Sequence, residues 1–348
     1  MKKNLTFTNL ITVLDAEPAF RVKQIMHSFF SGTVSYLDIS TISKKLRIHL
    51  DKEINSSTIK TFKVFPSKKD ETYKALLLLY DKINIETVLM KNLKGNWTIC
   101  VSSQAGCPVK CSFCATGKMG FKRNLDSLEI VEQVIFWKRF LEQKLNDKKR
   151  ISNIVVMGMG EPLLNYDNVK NALNLILNYS DVGPNYITVS TVGIINSLFK
   201  LLNDKEWPKV KMAISIHSAD NNIRAGIVPI HNTDFFADLK KWCIKYSDSL
   251  GSRTRPLTFE YVMLEGVNDT KKDAVRLSAF LKGLKRVKIN LIPYNITSDA
   301  GIRGSNEKHI IAFKKELSDN KITVTLRRSS GQDIKAACGQ LAPLGAFL

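Results

Sequence analysis

The sequence predicts an α/β protein: an open, partial TIM-type barrel of six β/α units, (β/α)6, preceded by a small helical and antiparallel unit. Three observations carry that expectation. From Ile151 onward short apolar runs recur, separated by spans of helical periodicity, the pattern of a parallel sheet covered on both faces. Before residue 90 that alternation is missing, and two helical patterns give way to three strands in a row. A length of 348 residues suits one large unit and one small one. The expected division is therefore an accessory unit at 1–90 and a main domain at 91–348.

In chain order, Phe20–Phe30 (FRVKQIMHSFF) spaces Val22, Ile25, Met26, Phe29 and Phe30 as one helical face. A second helix is expected over 42–50, with Ile42, Leu46 and Ile48 or His49 towards the core. Residues 61–64, 72–80 and 83–90 read as three strands divided by PSKKDE and by a short YDK turn. After a cysteine-rich loop, Asp126 can cap a helix with Glu129 three residues on, a capping-box pair. Strands are then expected at 151–157, Ile187–Thr191, 210–215, 257–262 and Val287–Pro293, between helical spans such as 168–177 and 271–284. Together with the strand before Cys107 these make six units, whose ligands would lie at the C-terminal strand ends. An incomplete barrel leaves a lateral opening suited to a macromolecular substrate.

Composition narrows the partners. The chain carries 52 Lys and Arg against 32 Asp and Glu, a net charge of +20, spread along its length instead of gathered in tails. Such an excess attracts polyanions, nucleic acid first among them, although a lysine-rich coding bias would produce the same count. No apolar run is long enough to cross a bilayer, and MKKNLTFTNL is not followed by the apolar segment of an export signal. A cytoplasmic, reducing location is expected, where clustered thiols read as metal ligands and not as disulfides.

Four of the six cysteines fall within CVSSQAGCPVKCSFC, residues 100–114. Cys107, Cys111 and Cys114 form C-x3-C-x2-C, a spacing that lets three thiolates converge on one iron–sulfur cubane. With three protein ligands, one iron of a [4Fe–4S] cluster stays open to a substrate or cofactor. A zinc site or three buried small residues are the alternatives. Zinc usually takes two separated ligand pairs, and no second C-x2-C or His pair follows downstream.

Polar residues punctuate the predicted strand ends. GMGEP places Gly160 and Glu161 after one strand, where glycine lets backbone approach a ligand and the carboxylate can accept from an ammonium or a hydroxyl. Ser190, then Ser215, Ile216 and His217, then Asn295 end three more. GMGEP alone reads equally as a plain turn, and each of the others alone reads first as a loop cap; together they face one rim and support one ligand. His217 is a candidate pH-sensitive group. Glu86, in the apolar INIETVLM, reads on its own as a solvated strand residue. Cys243 reads as a small buried residue on an amphipathic helix, and Cys338, before a glycine, as buried too.

C-x3-C-x-Phe-C resembles the signature of radical S-adenosylmethionine (SAM) enzymes, and CVSSQAGC with CSFCATG and GFKRNL resembles the RlmN/Cfr RNA adenosine methyltransferases. AACGQL near the C-terminus is similar to that family's methyl-carrying cysteine motif, and IETV to the segment holding its functional glutamate. The resemblance implies a radical SAM core, one [4Fe–4S] cluster on Cys107, Cys111 and Cys114, and two SAM molecules per turnover. It implies SAM contacts at Gly160, Glu161, Ser190, Ser215, Ile216, His217 and Asn295. Cys338 would take a methyl group from the first SAM and Cys100 would resolve the adduct by closing a disulfide. Glu86 would move a proton at the adenine. Its gap to Cys100 is about one residue longer than the usual family spacing. The implied product is adenine methylated at C2, with C8 as the alternative, in 23S rRNA and at adenosine 37 of tRNA. An electron donor such as flavodoxin is implied, and a monomer acting away from membranes is expected. Asn196, Ile227, Val228 and His231 depart from commoner family residues without touching an implied catalytic position.

Overall fold

The computed structural model describes residues 2–147, 150–230, 233–249, 256–297 and 301–343; His231 lies outside them. Helices α1 (Phe7–Val13), α2 (Phe20–Phe30) and α3 (Lys44–Glu53) open the chain. Ser43 caps α3, its hydroxyl accepting from Leu46 N–H, and so fixes the register. Leu46 and Leu50, four apart, therefore face the core. Ile48 and His49, expected inward, point to solvent; Ile48 is 52% exposed.

Strands β1 (Ile59–Pro66), β2 (Thr72–Leu79) and β3 (Asn84–Lys91) form the antiparallel meander, and β3 pairs antiparallel with β4 (Trp97–Val101), Val88 opposite Cys100. A hairpin of β5 (Gln104–Gly106) and β6 (Phe121–Asn124) brackets the short helix α4 (Ala115–Lys118). Helix α5 (Ser127–Gln143) starts with the expected capping box, Asp126 and Glu129 each accepting from the other's end of the first turn. The remaining elements alternate: β7 (Ile151–Val156), α6 (Tyr166–Tyr179), β8 (Ile187–Thr191), α7 (Ile195–Asn203), β9 (Lys211–Ser215), α8 (Asn221–Ile227) and α9 (Phe235–Ser249). Then come β10 (Leu257–Met263), α10 (Lys271–Leu281), β11 (Val287–Pro293), α11 (Glu307–Asp319) and β12 (Thr323–Leu326).

Ten strands make one sheet in the order β1-β2-β3-β4-β7-β8-β9-β10-β11-β12, parallel from β4 onward. The order does not close on itself, so the barrel is open. The six expected parallel strands are present and β12 adds a seventh. Its four residues are largely exposed, which hid it from a reading that relies on apolar runs. The meander continues the barrel sheet instead of standing apart. The expected boundary at 90/91 falls at the end of β3, and one apolar core runs beneath both parts. At the junction Trp137 of α5 is fully buried and donates to Thr87 of β3 at 3.1 Å. Among the described residues no helix is long and apolar enough to cross a membrane.

Candidate active site at the strand ends

The C-terminal ends of the parallel strands converge on one cavity of roughly 950 Å³, its mouth included. Met157, Ser190, Thr191, Ser215, Val262 and Pro293 contribute from five strands or the residues just past them. Cys107, Cys111, Cys114, Gly160, Glu161, His217, Asn295 and Cys338 line the same cavity. Sequence positions spread over more than two hundred residues therefore share one wall. Ile216 does not line it; its side chain is fully buried and its N–H donates to Glu260 O at 3.1 Å.

The cysteine loop is shaped by the β5–β6 hairpin. Gly106 (φ +79°) would place a Cβ 1.9 Å from Gly120 O, so only glycine fits immediately before Cys107. Cys107 N–H donates to Gly120 O at 3.0 Å and Cys114 N–H to Cys111 O at 3.1 Å. Burial pushes the Cys107 thiol up to about 12, against hydrogen bonds from the backbone of Val109 and Lys110. Cys111 is raised further by burial and then by the neighbouring Cys114 and Cys107. Two buried thiols beside the half-buried Cys114 are costly as bare thiolates, and bound metal would offset that cost while displacing their protons.

Glu161 joins two strand ends. Its carboxylate accepts from Leu163 N–H at 2.9 Å and from Val192 N–H at 2.8 Å, and burial pushes it up to about 7. Its own N–H donates to Gln104 Oε1 at 2.8 Å, tying the GMGEP loop to β5. Ser190 and Ser215 hydroxyls lie 3.3 Å apart on adjacent strands. His217 holds a left-handed backbone (φ +57°), and its Nδ1 accepts from Val262 N–H at 3.1 Å. Its ring packs edge-on against Phe113, and burial lowers it to about 3. His217 is thus a neutral wall at ordinary pH, not the pH-sensitive group its residue type suggested. Asn295 donates to Cys338 O at 3.1 Å and accepts from Gln332 at 2.8 Å.

Cys100 sits on β4, behind this wall. It lines a second, adjoining cavity together with Cys338, Cys114 and Arg327. Cys338 thus borders both spaces, the first shared with the cysteine loop and the second with Cys100. Burial pushes Cys100 up to about 12; Cys338 adds to the shift and Arg327 opposes it. Glu86 lines neither cavity. It is 3% exposed, paired with Lys74 at 3.0 Å, and accepts from Ala342 N–H at 2.9 Å. Cys243 is buried on α9, as expected of a structural residue.

Two residues were missed by sequence reasoning. Arg327, just past β12, lines both cavities, with Nη1 3.7 Å from Met157 sulfur and 3.9 Å from Glu260. Glu260 lines the first cavity from the wholly buried β10, with Oε2 lacking a hydrogen-bond partner. A carboxylate inside the apolar run LTFEYVM was the available signal; Arg327 had none, because its strand was not recognised.

The profile of the Radical SAM superfamily matches residues 101–278. The "Probable dual-specificity RNA methyltransferase RlmN" of Dictyoglomus turgidum is 40% identical over 331 residues, covering 94% of this chain and 92% of the relative. The chain belongs to the RlmN family of radical SAM proteins. Its counterpart in Bacillus cereus, of the same printed name, is 40% identical over 328 residues, 93% of this chain and 88% of that one. A crystal structure of a radical SAM methyltransferase from Sphaerobacter thermophilus superposes with a TM-score of 0.86 at 35% identity, covering 97% of each chain. Membership of the radical SAM superfamily implies a [4Fe–4S] cluster and SAM, and the donor set fits both. Among the described residues no three Cys, His, Asp or Glu side chains could hold one metal ion together. A cubane that takes each thiolate on a different iron makes no such demand, whereas a zinc site does. The glycine-rich turn and the polar strand ends line the same cavity as the thiols, a mixed polar and apolar wall of the kind a small charged nucleoside ligand requires.

Proposed function

We propose that this chain is a dual-specificity RNA methyltransferase that places a methyl group on C2 of an adenosine in the peptidyl-transferase centre of 23S rRNA and of adenosine 37 in tRNA. The single observation carrying this reading is the position of Cys338, bordering the cysteine-loop cavity on one side and the Cys100 cavity on the other. A radical SAM protein acting on a small molecule has no need of a second thiol pair beside its cluster. The RlmN-named relatives support C2 over C8.

In this reading Cys107, Cys111 and Cys114 hold the cluster, which when bound supplies the electron that splits SAM. Gly160, Glu161, Ser190, Ser215, His217 and Asn295 form the SAM bed. Glu161, half-neutralised by burial near pH 7, regains its charge opposite the methionine ammonium. Cys338 sulfur takes the methyl group of one SAM, with S-adenosylhomocysteine as the leaving group. Once that methyl has given up one hydrogen atom to the 5′-deoxyadenosyl group of a second SAM, Cys338 carries the carbon to the electron-poor ring. Cys100 sulfur then attacks Cys338 sulfur; the S–S bond forms, the bond from Cys338 to the transferred carbon breaks and that carbon takes a proton to become methyl. The ring proton leaves towards Glu86, and the one electron left by addition to the ring is given up to the cluster. A thiol reductant returns two electrons to the pair, and a protein such as flavodoxin reduces the cluster. These requirements fit a monomer working in the reducing cytoplasm.

Mapping adenosine methylation in 23S rRNA and tRNA from cells with and without the gene tests the proposal. Loss of C2-methyladenosine from both RNAs is the expected outcome; loss of C8-methyladenosine instead, or of neither, overturns it.

A further inference from the structure

The segment that carries Cys338 is held from two sides. The barrel holds its middle: Ala115 N–H donates to Gly339 O at 2.7 Å and Thr116 hydroxyl to Leu341 O at 2.6 Å. The meander holds its flanks. Asp333 accepts from Ser67 hydroxyl and Lys68 N–H at 2.8 Å each, and Gly331 N–H donates to Asp70 at 3.0 Å. Further along, Lys74 Nζ donates to Lys335 O at 3.5 Å, and Glu86, the ion-pair partner of Lys74, accepts from Ala342 N–H. The buried Lys74–Glu86 pair therefore reaches the segment on both sides of Cys338, three residues before it and four after.

We propose that Lys74 is a positioning residue: through Glu86 and Lys335 it clamps the Cys338 segment to the β2–β3 face and so sets where the Cys338 sulfur stands. The inference rests on the methyl-carrying role proposed for Cys338 and adds a task for the antiparallel meander, whose strands extend the barrel sheet. Lysine suits the position because one ammonium can donate to a carboxylate and a carbonyl at once. Burial pushes Glu86 up, and Lys74 is the largest opposing influence, with Ala342 N–H the other. Without the ammonium, the bond to Lys335 O is gone and only the Ala342 N–H is left to oppose the effect of burial on Glu86, so half the clamp is lost. The clamp also occupies Glu86. Glu86 Oε2, the oxygen not paired with Lys74, becomes free to receive the ring proton only when the 335–342 segment lifts, which couples movement of Cys338 to release of that oxygen.

Hydrogen exchange on the full-length, cluster-loaded protein without SAM or RNA tests this independently of methylation. In Lys74→Met, amides of residues 331–342 should exchange at least ~10-fold faster, the behaviour of a locally opened unit, while those of β10 and β11 stay unchanged. Lys74→Arg should return the segment to within about threefold of the parent, because a guanidinium can make both contacts. Glu86→Gln, which keeps an acceptor for Ala342 but not the ion pair, should also loosen the segment and carries the test if Lys74→Met does not fold. Unchanged exchange at 331–342, or acceleration spread evenly over the barrel, overturns the proposal. Either result leaves the RNA-methylation reading untouched, since neither RNA nor turnover is measured.

Discussion

Gly160 offers a quantitative test of how the GMGEP loop is built. Its φ is +100°, and a Cβ there would lie 2.5 Å from Gln104 Cβ and 2.8 Å from Gln104 N. Backbone cannot yield as a side chain does, so Gly160→Ala must displace β5 or twist the loop. Gly32 has nearly the same φ, +102°, but nothing within 4 Å of its added Cβ. Gly32→Ala should therefore cost only the backbone strain, about 1–3 kcal/mol. Gly160→Ala adds overpacking of about 1–3 kcal/mol. In urea unfolding it should be the more destabilised of the two by about that second amount. The functional effect follows the Glu161 N–H to Gln104 bond. If Glu161 swings away, the charge-assisted contact proposed above to the methionine ammonium, worth about 1.5–3 kcal/mol, is lost, or roughly 10–100-fold in SAM affinity. Equilibrium dialysis of SAM against cluster-loaded protein measures it. Equal stability losses in the two variants, or SAM affinity in Gly160→Ala within twofold of the parent, would refute the reasoning.

Replacing Cys107, Cys111 or Cys114 with alanine should abolish both iron binding and 5′-deoxyadenosine formation; full iron content in any of the three would remove it from the ligand set. Cys100→Ala should accumulate a denaturation-resistant protein–RNA adduct on Cys338, visible by mass spectrometry after nuclease digestion, and Cys338→Ala should not. Normal turnover by Cys100→Ala would reject the resolving role alone. His217, lowered from 6.5 to about 3, is neutral when folded but takes a proton when unfolded below pH 6.5. Its contribution to stability is present above that pH and fades as pH falls towards 3. Between pH 7 and pH 5 the parent should lose about 2 kcal/mol more than His217→Gln, and equal losses would contradict the neutral assignment. RNA binding should weaken steeply between ~50 and ~200 mM salt, and a flat response would separate affinity from the +20 charge.

Local chemistry was legible in the sequence. C-x3-C-x2-C, the Asp126–Glu129 capping box and the apolar strands Ile187–Thr191 and Val287–Pro293 stand where their spacing put them. Each depends on neighbours a few residues apart, and helix or strand periodicity carries that distance. What lay beyond it was decided by packing. Nothing near β12 in sequence announces that four exposed residues join the sheet and deliver Arg327 to the wall shared by both cavities. Glu86 reads by itself as a solvated strand residue, and the structure corrects this: it is buried, because the Lys74 ammonium pairs with it. Its pairing with Lys74 is made across the β2–β3 hairpin, but its bond to Ala342, 256 residues away, exists only once the meander is joined to the barrel and the C-terminal segment lies against it. His217 shows the same limit in energetic form: the residue type gives a pKa near neutrality, and complete burial beside Arg224 removes it from that range. Residue identity determined which groups could react; desolvation and long-range contacts, which the folded chain alone creates, decided their charge and their partners.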